Sequence, residues 1–353
     1  MPRYFIGADV DSKMTELAVE QNKKIVKRFR VATTIRAIRE VLDGLPGRKS
    51  LTFEEGPMAD WLYRNLKDCV DELVVSDPRR NRLISDDGDK DDPIDASKQA
   101  ELMRGGFLRE VYHSGSAERV ELKQWVGLYH DRVREAVRQI NKIRARGRMY
   151  GVSIPGRVMR WPKSRGQWLA ELNCPALAGQ LEVLWIGYDA VRRQVRQALA
   201  AMNRRAKVYP IIGRWNELPG IGPIRATTIF AYLDTPFRFR NPKALCKYCG
   251  VGLVRTTSGT DRHGQPRVGQ VKLAWACNRR LTDAVMGATL SAVRQGGNVF
   301  ADYYGGLVRH GLTTGNARHS TARKLLTVMS GMWKSNSRFD PTVNGRSSGS
   351  PTE

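Results

Sequence analysis

Apolar positions come in short runs and alternations near the start of the chain, and every third or fourth residue from about position 117. Residues 4–10, YFIGADV, are rich in β-formers and predict a buried strand. Residues 13–20 and 25–31 predict two more, with Gln21-Asn22-Lys23 as the turn between them. Helical spacing follows over residues 35–42, a short apolar strand over 50–54, a helix through Trp61, Leu62 and Leu66, and a strand over 72–75. The order β-β-β-α-β-α-β predicts a mixed sheet, opened by a meander and completed by right-handed crossovers.

Beyond this the chain reads as helical. Trp125, Tyr129, Val133, Val137 and Ile140 mark one long amphipathic helix, and Leu177, Leu181, Leu184, Tyr188, Val191 and Val195 mark another. The Gly/Pro-interrupted stretch GVSIPGRVMRWPKSRG between them predicts a tip, so the pair forms a helical hairpin. Such a hairpin can pack on itself or on a second copy as a coiled coil. A mostly helical region follows over residues 211–339, and the polar tail PTVNGRSSGSPTE predicts disorder. The expected divisions are 1–112, 113–208, 209–340 and the tail 341–353.

Charge adds what the pattern lacks. The 353 residues carry 59 Lys and Arg against 35 Asp and Glu, a formal +24. Residues 1–100 hold 18 basic and 19 acidic side chains, whereas residues 101–353 hold 41 and 16. A surplus confined to one part of a chain attracts a polyanion, and nucleic acid is the usual one. Arg134, Arg138 and Lys142 lie along one helical face and are candidate phosphate contacts. Five cysteines predict no disulfide framework and a reducing, cytoplasmic setting. No apolar run is long enough to span a membrane, and MPRYFIGADVDSK does not read as a secretory signal.

The near-neutral first hundred residues contain a suggestive set of acids. Asp9 ends the first strand and Glu54 the fourth, two parallel neighbours whose carboxyl ends open on one edge. Asp92 and Asp95 flank Pro93, which starts a helix and puts them about one turn apart. Taken singly, acids at strand ends and helix starts are commonly caps. Taken together they would repel one another unless a hard cation such as Mg2+ joined them, and paired ions of this kind stabilise both oxygens of a phosphodiester displacement. Asp11 could stand for Asp9, Glu55 for Glu54 and Asp91 for Asp92.

In the basic part, Leu218-Pro-Gly-Ile-Gly-Pro223 has the form of a helix-hairpin-helix turn, in which Gly220 and Gly222 would permit close backbone approach to phosphate. Ser258 precedes Gly259 in a segment bearing Arg255, Arg262 and Arg267. A serine can attack phosphorus when a base or metal takes its proton, but no Ser-His-Asp set is evident, and on local chemistry alone Ser258 is a turn residue. Cys246-Lys-Tyr-Cys249 is half a zinc knuckle without a second half and reads as buried thiols. Trp275, Tyr303, Tyr304 and Trp333 read as core rather than as base-stacking platforms.

In order along the chain, IGADVDS, TFEEGP, KDDPIDA, LPGIGP, the SG of TTSGT, ACNRRL and ARKLL together resemble the DEDD insertion-sequence transposases of the IS-one-ten family. The resemblance spans residues 4–341. It implies a ribonuclease-H-type domain like that of the junction resolvase RuvC, a central coiled coil and a C-terminal transposase domain. The family's four acids fall on Asp9, Glu54, Asp92 and Asp95, and its catalytic serine on Ser258. The resemblance also implies guidance by a structured bridge RNA, cutting and rejoining of DNA through a phosphoserine, and dimers pairing into tetramers. In that assembly the acids of one subunit meet the serine of another. Asp91 departs from the pattern, because an uncharged polar residue is more usual there. The expected function is therefore an RNA-guided DNA recombinase. The alternatives are a junction endonuclease using the same acids with water, and a non-catalytic nucleic-acid-binding protein.

Overall fold

The computed structural model describes residues 2–78, 92–256 and 270–342. The chain divides into two compact units, Met1–Val120 and Glu121–Glu353.

The first unit is built on a five-stranded sheet. Its strands are β1 (Arg3–Val10), β2 (Met14–Gln21), β3 (Lys24–Ala32), β4 (Arg48–Glu54) and β5 (Glu72–Ser76), in spatial order β3-β2-β1-β4-β5. The three-strand meander is antiparallel, and β4 and β5 continue parallel to β1. Asn22 and Lys23 both take positive φ at the tight β2–β3 turn, one residue shorter than the pattern predicts. Between the strands run α1 (Ile35–Asp43), capped by the Thr34 side chain on the Ala37 N–H, and α2 (Ala59–Leu66). One sheet face is a conventional apolar core. Ile6, Ala8, Leu17, Leu51, Phe53 and Val75 pack there against Ile38 and Leu42 of α1 and Leu62 and Leu66 of α2.

The other face carries α3 (Asp92–Gly105), and its chemistry differs. Buried beneath or on this helix are Glu20, Thr52, Ser76, Ser97 and Gln99. Besides burying Ala96, Ala100 and Met103, α3 is seated by close backbone approach at Gly7. A Cβ built there would lie 2.0 Å from the Ala96 carbonyl oxygen and 2.6 Å from the Ala100 nitrogen. The far end of α3 is tied down by Arg104, whose Nε donates to the buried Glu20 carboxylate. A branched or larger residue at position 7 would lift the helix from the sheet.

The second unit is mostly helical, as expected. Its long helices are α4 (Ala117–Met149) and, after the short α5 (Gly156–Arg160) and α6 (Arg165–Leu172), α7 (Pro175–Ala206). Ile143, Val158, Leu177, Leu181 and Trp185 form a shared core, so the predicted hairpin packs on itself through its tip. There Arg165 grips Asp189 with two bonds, of 2.5 and 2.9 Å, and lies over the Trp185 ring. The remaining helices are α8 (Pro210–Trp215), α9 (Pro223–Leu233), α10 (Pro242–Tyr248), α11 (Arg279–Gln295), α12 (Val299–Arg309) and α13 (Thr314–Ser335). They surround a core that includes Trp215, Phe230 and Phe300. An antiparallel ribbon, β6 (Leu253–Thr256) paired with β7 (Gln270–Leu273), was not legible in the hydropathy pattern. Four-residue strands with their Leu253, Val271 and Leu273 side chains exposed carry no burial periodicity to detect.

Candidate functional site: the carboxylate edge

The register of the sheet decides which acids can meet. Ala8 pairs with Phe53 on the parallel β1–β4 edge, so Asp9 and Glu54 leave the two strands side by side. Side chains alternate along a strand. Gly7 faces α3, so Asp9 faces it too, and Thr52 and Glu54 lie opposite the core residues Leu51 and Phe53. Helix α3 runs back along β1: Arg104, near its end, reaches Glu20, which pairs with Phe5 at the start of β1. Its first turn, with Asp95, is thereby placed over the carboxyl edge where Asp9 and Glu54 lie.

The electrostatics carry the same message. The Glu54 carboxyl is held above the usual glutamate range, first by burial and then by the charges of Asp9 and Asp95. Asp9 and Asp95 are therefore both within electrostatic range of Glu54. Asp92 opens α3, and Asp91 lies outside the described residues. Two of the three alternatives differ in their surroundings. Asp11 is exposed and does not contribute to the Glu54 environment. Glu55 points elsewhere, its Oε2 lying 2.6 Å from His113 Nε2.

His113 was not singled out in the sequence, where it is an isolated histidine after a helix. Its ring is buried between two carboxylates, with Nδ1 also 2.6 Å from Asp60 Oδ1. Burial lowers its pKa, but the hydrogen bonds and charges of Asp60 and Glu55 outweigh that and push it up to about 9. At neutral pH it is an imidazolium donating from both nitrogens. With the Glu55 N–H bonded to Ser76 O, it ties down the chain directly after Glu54.

The donor set suits a hard divalent cation: oxygen ligands only, and a half-buried Glu54 whose ionisation is opposed by like charge. Among the described residues, no three His, Cys, Asp or Glu side chains already form a metal-ready group. Mg2+ commonly takes one or two carboxylates and fills the rest of its shell with water and phosphate oxygens, so the set fits that mode of binding.

The candidates in the second unit are dispersed. Arg134 and Arg138 are largely exposed on α4, each paired with an acid three residues earlier, Asp131 and Glu135, and Lys142 is exposed further along. Gly220 has φ +78, and a Cβ there would meet the Ala288 oxygen at 2.3 Å. Its glycine requirement thus comes from packing against α11. Gly222 caps α9 with open space at its Cβ position, which leaves the α9 N-terminus accessible. Arg255 is exposed on β6. Ser258, Arg262 and Arg267 lie outside the described residues, in the segment that β6 and β7 bracket.

Trp275 corrects the expectation of a core residue, because it is 80% exposed. It closely follows the ribbon, whose Leu253, Val271 and Leu273 are exposed as well among the described residues. Trp333, by contrast, packs edge-on against the buried Trp215 as expected. Cys246 and Cys249 are buried, and burial pushes the Cys246 thiol up to about 11, consistent with inert protonated thiols. No helix among the described residues is long and apolar enough to cross a membrane.

An α/β unit with a carboxylate edge, followed by a strongly basic helical unit, describes an enzyme class that acts on polynucleotides. Residues 6–146 match the DEDD IS110 transposase family, and residues 214–305 match the family described as Transposase IS116/IS110/IS902. The chain belongs to the IS110 family of transposases and is a DNA transposase, an enzyme of strand transfer in insertion-sequence movement. The two matches include all four expected acids and Ser258. No curated protein matches the chain.

Proposed function

We propose that this transposase is a bridge-RNA-guided recombinase that joins DNA strands through a phosphoserine at Ser258. The observation that supports this most directly is the sharing of one sheet edge by Asp9 and Glu54, where the charges of Asp9 and Asp95 act on Glu54. The sheet order β3-β2-β1-β4-β5, with α3 across β1, supports a ribonuclease-H-like, RuvC-like reading of the first unit.

In this reading residues 1–112 carry the acids, 113–208 the hairpin and 209–340 the serine. Asp9, Glu54, Asp92 and Asp95 would hold Mg2+, which when bound offsets charge on the scissile phosphate. The Ser258 oxygen attacks phosphorus, the bond to the 3′ oxygen breaks, and the serine proton ends on the released 3′-hydroxyl. A 3′-hydroxyl from the exchanged strand then attacks the phosphoserine and returns the proton to Ser258, so bond energy is conserved without ATP. Guide pairing reads the target while Lys and Arg side chains grip backbones. Dimers pairing into tetramers, in the cytoplasm, would bring the acids of one subunit to the serine of another.

The test is a gel assay for a covalent protein–DNA species with donor DNA, Mg2+ and the RNA transcribed beside the gene. Ser258→Ala is expected to abolish the adduct, and its persistence overturns the nucleophile. Asp9→Asn is expected to abolish cleavage while leaving RNA binding intact. Cleavage by the wild type with no adduct would favour a water-using junction nuclease instead.

A further inference from the structure

A cavity of about 300 Å3 lies between α4, α9 and α11, lined by His130, Arg134, Arg225, Thr228, Arg280 and Asp283 among others. It brings together three guanidinium groups from three helices, and sequence spacing marks only Arg134 among them. Two of the three are held in place. Arg280 lies against α4 where Gly127 leaves room, bonded to the Tyr232 hydroxyl and, at 2.8 Å, to Asp131. Arg225 lies over Gly287 of α11, and its Nη1 donates to Gly220 O at 3.0 Å and Ser291 Oγ at 2.9 Å.

Among the three, Arg225 differs in its partners. Both are neutral oxygens, so among the described residues no carboxylate neutralises this half-buried cation. Arg134 and Arg280 share a single acid, Asp131. Asp283 also lines the cavity and its charge acts on His130, but among the described residues it forms no ion pair with Arg225. A fixed, uncompensated guanidinium inside a concave site is a poor contributor to stability and a good anion receptor.

His130 reports the same field. Thr228 Oγ1 donates its hydrogen to Ile224 O, so the 2.9 Å contact with His130 Nε2 must be donated by the imidazole. The ring pKa is lowered by burial, then by Arg280 and Arg134, so at neutral pH it is uncharged and its Nδ1 is the acceptor. The cavity therefore presents positive charge on arginine alone.

We infer that this cavity receives one backbone phosphate of a nucleic acid, gripped by the fixed Arg225 and closed over by the more exposed Arg134. The inference rests on the nucleic-acid reading above and adds the place and the residues. Phosphodiester oxygens have the charge, size and acceptor geometry that paired guanidiniums match. The accessible α9 N-terminus behind Gly222 opens nearby, as Ile224, Arg225 and Thr228 of that helix all line the cavity.

The experiment measures binding of the full-length protein to a DNA duplex and, separately, to single-stranded RNA across a salt series, with no divalent ion so that cleavage plays no part. Arg225→Gln is expected to weaken binding about tenfold and to reduce the slope of log K against log salt by about one, for whichever nucleic acid occupies the site. Arg134→Gln, on an exposed position, guards against a folding defect and is expected to act in the same direction more weakly. Asp283→Asn is expected to tighten binding, an effect that structural damage does not produce. Unchanged slopes in both arginine variants for both nucleic acids overturn the site while leaving the transposase reading intact. A wild type that binds neither nucleic acid overturns both.

Discussion

Replacing Gly7 by alanine tests whether the seat of α3 sets the geometry of the acids. The new Cβ would stand 2.0 Å from the Ala96 oxygen and 2.6 Å from the Ala100 nitrogen, both backbone atoms that cannot rotate away. Real contacts of this kind begin near ~3.0 Å, so α3 must withdraw by about 1 Å. Asp95 lies one residue before the point of collision and moves with it. Overpacking of this sort costs about 1–3 kcal/mol, a fall in melting temperature of roughly 4–15 °C for a unit of this size. A 1 Å misplacement of a catalytic group costs on the order of 100-fold in rate. Divalent-dependent strand cleavage at 25 °C should therefore drop about 100-fold in a protein that is still folded by circular dichroism at that temperature. Cleavage within a factor of about three of wild type would refute the claim that close contact at Gly7 positions the acid, since a shift of ~1 Å costs far more.

Three further outcomes follow from the same structure. Because the Glu54 carboxyl is raised in the folded state, its ionised form costs stability above that raised pKa, and the cost vanishes below the ordinary glutamate value of about 4.3. Glu54→Gln should thus melt higher than wild type at pH 7.5, melt alike near pH 4, and lack cleavage; a lower melting point at pH 7.5 refutes the clustering. The His113 imidazolium, with a folded pKa of about 9, contributes stability that is complete below about 6.5 and is lost as pH rises through 9. His113→Asn should remove roughly 2 kcal/mol at pH 6 and less at pH 9.5 in urea melts, and a loss independent of pH would show that the ring is not charged. Asp189→Asn leaves the largely buried Arg165 without its carboxylate and should cost about 2–3 kcal/mol in calorimetry, with the melting of the sheet unit unchanged.

The first unit was legible because its signals are local. Strands of five to nine residues and two short amphipathic helices announce themselves by period, and every predicted strand from β1 to β5 is present within two residues of its expected ends. The site was half legible. Asp9 and Glu54 could be paired from sheet order, since parallel neighbours share an edge. Telling the surroundings of Glu54 from those of Glu55 needed the register, which turns one side chain toward α3 and sends the other to His113. His113 itself left no mark in the sequence, because its two partners lie 53 and 58 residues away.

In the second unit the limits differ in kind. Helical period, the tip between the long helices and the excess of positive charge are all properties of composition and spacing, and the sequence determined them alone. Whether an exposed tryptophan such as Trp275 is covered, whether Gly220 serves a ligand or a neighbouring helix, and which of many arginines lacks a counter-ion are questions of what stands a few ångströms away. Those distances are set by chain segments far apart in sequence, so only the tertiary structure decided them. The sequence determined the class of elements and the sign of the charge; contact between distant segments decided which acids share the sheet edge and which side chains line the arginine cavity.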